Sequence, residues 1–215
     1  MKKHMKMVVS LFTVLLLTIT FVSGQALTID KIKTEPLSVN TGFSFKFHST
    51  LLNEDRTIMI SLPDGYDGNK GKYPVIYLLD GQWGFNPASQ AMGWLSYSYE
   101  GKIPKAIIVG INTTDNREKC MTPTKNNENN LGGGADQLYQ FIKEELIPFI
   151  DNNYRTYNYR VLCGGSIAGV FVIHAFITNP QLFTSYIATS PSMWWDNRVM
   201  LHRTDRKSTR LNSSH

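Results

Sequence analysis

Gly164-Gly165-Ser166-Ile167-Ala168-Gly169 sets a hydroxyl among residues small enough to let it stand clear of the backbone. A serine between the end of a strand and the start of a helix sits in a strained backbone conformation, and side chains two residues to either side crowd it. Gly164 and Ala168 relieve that crowding, with alanine where the G-x-S-x-G pattern has its second glycine. Gly169 lets the helix come close to the sheet. The helix start also points backbone N–H groups toward the site, where they favour a developing negative charge. The chemistry such a group performs is nucleophilic attack by Ser166 on an acyl carbonyl. A tight structural turn uses the same small residues, so the motif alone leaves both readings open.

A serine hydrolase also needs a histidine and usually a carboxylate, placed later in this chain order. His174 lies eight residues past Ser166 on the same helix and cannot reach back around the turn. Asp80 closes an apolar run, where a turn-forming carboxylate is expected. Asp196 follows the next strand. Trp194 and Trp195 either line a pocket for an acyl or aromatic group or pack in a core. Arg117 either meets a substrate carboxylate or stays solvated in its loop. No metal-ligand spacing, phosphate loop or dinucleotide fingerprint is present, so neither metal nor cofactor is expected.

The elements that would hold these groups follow from periodicity. Phe43, Phe45 and Phe47 alternate as in a strand with one buried face, and "RTIMISLP" reads as a second strand after a turn at Asn53-Glu54-Asp55. "YPVIYLLDG" and "KAIIVGIN" are nearly continuous apolar runs, as in strands buried on both faces. Asn116 to Gly134 reads as a long polar loop ending in three glycines. "ADQLYQFIKEELIPFIDNNY" carries Leu138, Phe141, Ile142, Leu146, Phe149 and Ile150 at helical spacing. "YRVLC", the helix "AGVFVIHAFITN" and "SYIATSPS" complete an alternation that predicts a mostly parallel sheet flanked by helices.

Composition bounds the partners. The first 26 residues have a basic start, an apolar run from Met7 to Val22 and a small-residue end, the pattern of a secretory signal peptide. That run holds four serines and threonines, so a stable membrane anchor is not expected, and the mature chain belongs in the periplasm or outside the cell. The formal charge of +5 is concentrated at the ends. Taking Lys2, Lys3, Lys6, Arg206, Lys207 and Arg210 from 22 basic residues, and Asp205 from 17 acidic ones, leaves 16 of each. Nothing in that segment seeks a phosphate backbone, so no nucleic-acid partner is expected. Cys120 and Cys163 are too few for a disulfide framework and are expected as free thiols.

Several segments in order resemble the putative esterase family of α/β-hydrolases, related to esterase D and the enterobactin-type siderophore esterases. They are "YPVIYLLDGQ", "REKCMTPT", "GGGADQLYQFIKEELIPFIDNNYRT", "RVLCGGSIAGVFVIHAF" and "LFTSYIATSPSMWWD". The resemblance implies an α/β-hydrolase fold, a small-molecule ester substrate, Ser166 as nucleophile and an oxyanion hole made by the backbone N–H groups of Ile167 and Gln82. It also implies a base after two further strands, which His202 precedes. Gly165 departs from the histidine or larger residue usual there, and Cys120 from an aspartate.

The last eleven residues, "DRKSTRLNSSH", lack helical or strand periodicity. They resemble, residue for residue, the translation of a widely used short-read sequencing adapter. The expectation is an α/β-hydrolase domain over residues 27–204, incomplete at its C-terminus, and a non-native tail over 205–215 that includes His215. The triad acid and base then belong to sequence after Thr204. The activity expected of the whole protein is ester hydrolysis through an acyl-enzyme, on siderophore, acylated-sugar or other small acyl esters. A binding protein on the same fold and an acyltransferase are the alternatives.

Overall fold

The computed structural model describes residues 39–97, 101–113, 117–126 and 130–212, with side chains as far as Asp205. The segment that reads as a signal peptide and His215 lie outside the described residues. Six strands form one sheet: β1 (Phe43–Ser49), β2 (Glu54–Ser61), β3 (Tyr73–Leu79), β4 (Ile107–Ile111), β5 (Thr156–Gly165) and β6 (Ser185–Thr189), in the order β1-β2-β4-β3-β5-β6. The β1–β2 and β2–β4 pairs are antiparallel, and the other three are parallel. This is the mostly parallel sheet flanked by helices that the alternation of elements predicts, and the α/β-hydrolase fold that the resemblance implies.

The central strands are the apolar runs. Every residue of β4 is buried, and so are Val75, Tyr77 and Leu79 of β3, because helices cover both faces of a parallel sheet. Helix α1 (Gly81–Tyr97) lies close on β4 because two glycines meet there. A Cβ on Gly81 would stand 2.9 Å from the Gly110 carbonyl carbon, and one on Gly110 would stand 2.9 Å from the Phe85 ring. The sequence pattern does not declare this helix, since Gly84, Pro87 and Gly93 interrupt it.

Phe45 and Phe47 of β1 pack on the helical segment made of α3 (Ala135–Phe141), a π-helical turn (Ile142–Leu146) and α4 (Ile147–Asn153). Their rings lie 5.5 and 5.2 Å from that of Phe149. Phe43, at the start of the strand, is exposed. From the π-helical turn Glu145 accepts bonds from the Ser49 hydroxyl (2.5 Å) and the Thr50 and Leu51 amides (3.0 and 3.2 Å). This anchor fixes the hairpin bend at 50–53, with Asn53 left-handed (φ 53°), while Glu54 and Asp55 already pair within the ladder. The turn therefore sits slightly earlier than the polar triplet suggests.

The polar loop before α3 is more ordered than its composition implies. It contains α2 (Arg117–Met121) and a bridge between Lys125 and Gly132. Gly132 (φ +109°) has no room for a side chain: a Cβ would lie 2.3 Å from the Thr124 carbonyl oxygen. The nucleophile-motif helix is α5 (Ile167–Thr178). After β6, α6 (Trp195–Asn212) is broken by left-handed Asp196, Asn197 and Arg198, then runs helical through the segment where the sequence shows no periodicity. Cys120 and Cys163 are free and half-buried, and burial raises both thiols above their ordinary range.

Candidate active site

Ser166 caps α5 directly after β5, with φ 56° and ψ −120°. A non-glycine residue there costs of the order of 1–3 kcal/mol, and it persists only where the surroundings over-determine it. They do so here. The Ser166 amide donates to the Thr189 carbonyl at 3.0 Å, and its carbonyl accepts from the amides of Val170 (3.2 Å) and Ser192 (3.1 Å). A Cβ on Gly164 would lie 2.7 Å from the Ala168 carbonyl oxygen, and one on Gly169 would lie 3.0 Å from Pro191. Glycine at these two positions is what lets strand, turn and helix close together. Gly165 is different: its nearest neighbour would be the Thr189 oxygen at 3.6 Å, so a larger residue would fit there.

The Ser166 side chain is exposed, and its Oγ lies 3.1 Å from Oγ of buried Ser192. Among the described residues no histidine bonds to it. His174 is buried on the same helix, about 12 Å further along at 1.5 Å per residue, and pairs through Nε2 with Asp136 Oδ1 at 2.9 Å. It serves packing between helices, as the eight-residue spacing indicates.

Because β3 and β5 are parallel neighbours in register at Leu78 and Cys163, the turn after β3 and the turn after β5 emerge at the same sheet edge. The first begins at Asp80, itself left-handed (φ 54°), whose carbonyl accepts from the Trp83 and Gly84 amides at 3.0 and 3.1 Å. Gln82 is the second residue of α1 and Ile167 the first of α5, positions whose N–H groups have no acceptor within the helix. Neither amide has an acceptor among the described residues. The Gln82 side chain accepts from the Thr113 amide at 3.2 Å, and its buried Nε2 has no partner among the described residues.

Arg117 is half-buried and held in an ion pair rather than loose in its loop. Its Nε and Nη2 bind Asp80 Oδ1 and Oδ2 at 2.9 and 2.6 Å, and its guanidinium lies 5.0 Å from the Trp83 ring centroid. The hydrogen bond to Asp80 raises its pKa further. Thr113 donates to the same carboxylate through Oγ1. Asp80 thus does more than form a turn. It joins the loop after β4 and the start of α2 to the Gln82 segment. Sequence reading missed Thr113 and Ser192, and only the "TSPS" segment beside β6 hinted at the second.

The two tryptophans separate. Trp195 is a correction to the pocket reading: it is 2% exposed and donates from Nε1 to the Thr124 carbonyl at 3.3 Å, locked into the core. An indole can be buried when its N–H finds an acceptor, as this one does. Trp194 is 67% exposed and remains available to a ligand.

Residues 49–214 match the family described as "Putative esterase". The chain is 35% identical over 174 residues to the ferri-bacillibactin esterase BesA of Bacillus subtilis, covering 71% of this chain and 60% of that protein. It is 32% identical to the siderophore triacetylfusarinine C esterase of Aspergillus fumigatus, covering 62% of this chain and 49% of the relative. Among solved structures, the IroE-like serine hydrolase from Shewanella oneidensis superposes with a TM-score of 0.73 at 36% identity, over 77% of this chain and 55% of that one. The chain therefore spans about half to three-fifths of the length of these proteins.

Proposed function

The chain belongs to the "Putative esterase" family, and on that premise we propose that its whole protein is an exported serine hydrolase of carboxylic esters. Ser166 is the nucleophile. It attacks the ester carbonyl, the amides of Ile167 and Gln82 receive the oxyanion, the alcohol departs, and water hydrolyses the acyl-enzyme. The observation that carries this reading is the strained, exposed Ser166 at the first turn of α5, held at φ 56° and ψ −120° by bonds from three sides. The substrate class is a siderophore ester, supported by two relatives named for siderophore ester hydrolysis. Export rests on the signal-peptide pattern of residues 1–26.

The base and acid are supplied by sequence that follows Thr204 in the whole protein, and residues 205–215 are a non-native tail. The partial coverage of the relatives supports a longer whole protein, while the family match itself runs to residue 214, across most of that tail. Without a base, a serine hydroxyl is a weak nucleophile. The 215-residue chain is accordingly expected to hydrolyse a simple aryl ester no faster than background. The full-length protein is expected to turn it over, with Ser166→Ala removing at least about a thousandfold of the rate. Turnover that survives Ser166→Ala in the full-length protein refutes the assignment. Ser166-dependent turnover by the 215-residue chain refutes the location of the base.

A further inference from the structure

Ser192 is 6% exposed, 26 residues from Ser166, and faces it twice. Its amide donates to the Ser166 carbonyl, and its hydroxyl oxygen lies 3.1 Å from the Ser166 hydroxyl oxygen. Its carbonyl accepts from the amide of the core residue Trp195 at 3.1 Å, so the segment between β6 and α6 is pinned at both ends. Pro191 packs against Gly169 on the other side of the same turn.

One hydrogen lies between the two hydroxyls, and burial decides whose it is. Ser192 has no other side-chain partner among the described residues. If Ser166 donated, the Ser192 hydrogen would be buried without an acceptor, which is the costly arrangement. If Ser192 donates, its hydrogen is used, and the Ser166 hydrogen turns to the exposed side, where water or a base can take it. The second arrangement leaves nothing unsatisfied.

We infer that Ser192 is a hydrogen-bond donor to the nucleophile, fixing the Ser166 hydroxyl with its proton outward and stabilising the negative charge that grows on Oγ as that proton leaves. The inference rests on Ser166 being the nucleophile. In the attack the Ser166 proton passes to a general base, the Oγ–carbon bond forms, and the carbonyl π pair moves onto its oxygen. Ser192 keeps its own proton throughout. A hydrogen bond to a charged oxygen is about twice as strong as one to a neutral oxygen, so the bond strengthens as the barrier is climbed. Once Oγ is an ester oxygen the bond weakens again, and the acyl-enzyme is not over-stabilised.

The test uses the full-length protein with an aryl ester. Ser192→Ala is expected to lower kcat about tenfold while KM stays within about twofold, the pattern of an interaction made in the transition state. Ser192→Thr, which keeps the hydroxyl, restores most of kcat. Ser192→Cys, similar in size with a weaker donor, falls between. Melting temperatures of the four proteins separate this from loss of fold. A Ser192→Ala protein with kcat within twofold of wild type overturns the inference, as do Thr and Cys variants both as slow as Ala. If Ser166→Ala abolishes turnover and Ser192→Ala does not lower it, only the donor role falls. If turnover survives Ser166→Ala, or the unsubstituted protein has none, both readings fall.

Discussion

Gly164→Ala and Gly165→Ala are the same chemical change at adjacent positions, and the fold makes them differ. At position 164 the new methyl would stand 2.7 Å from the Ala168 carbonyl oxygen, 2.8 Å from its carbon and 2.9 Å from its side chain. The first two are backbone atoms of α5, so no side-chain rotation relieves the contact; strand or helix has to shift. Overpacking of this kind costs about 1–3 kcal/mol. At position 165 the methyl would meet only the Thr189 oxygen, at an ordinary 3.6 Å. There glycine-to-alanine replacement stabilises by about 0.4–1 kcal/mol through the unfolded chain. The same unfolded-state gain applies at 164, so it cancels in the comparison and leaves the clash. A domain of this size loses about 2–4 °C of melting temperature per kcal/mol. Gly164→Ala is therefore expected to melt roughly 5 °C below Gly165→Ala, with Gly165→Ala at or above the wild type. Thermal unfolding followed by circular dichroism reads this directly. Equal melting temperatures, or Gly165→Ala the less stable of the two, would refute the close approach of β5 and α5 on which the Ser166 geometry depends.

Two further outcomes follow from buried charge. Arg117→Met leaves the Asp80 carboxylate with Thr113 as its one side-chain donor among the described residues. Breaking a fully buried pair costs about 3–5 kcal/mol, and because the Arg117 side chain is 26% exposed the loss here is about 2 kcal/mol, read as a fall of about 4–8 °C. Asp80→Asn in the same chain should recover part of it, and an Arg117→Met protein as stable as wild type would show the pair to be structurally idle. Burial lowers the pKa of His174, with Asp136 pulling it back up and Arg203 adding to the decrease. The native state thus gives up this proton more readily than the unfolded chain. The stability His174 contributes is complete above its ordinary pKa of about 6.5 and is lost as pH falls through the lower native value. Urea midpoints should drop as pH falls below about 6.5, and less so in His174→Gln. An equal drop in both proteins would place the proton uptake elsewhere.

The legible parts of the fold were those written in local pattern. The alternating phenylalanines, the apolar runs of β3 and β4 and the helical spacing from Leu138 to Ile150 each declare a face to bury, and they became the elements they predicted. Helix α1 escaped because its glycines serve contact with β4 at Gly110 rather than helix propensity, a reason visible only when the sheet is assembled. The helix inside the Asn116–Gly134 loop escaped because it is held by pairing at Asp80 and by the bridge at Gly132, not by an apolar stripe of its own.

By itself the sequence determined the strand–serine–helix turn, since the small residues that permit it are contiguous and their spacing is the constraint. It could not determine what Ser166, Arg117 or Trp195 would touch. Ser192 reaches Ser166 across 26 residues and Asp80 reaches Arg117 across 37, in both cases because particular strand ends are neighbours in the sheet. Strand order is set by burial summed over the whole domain, and no short stretch of chain carries that sum.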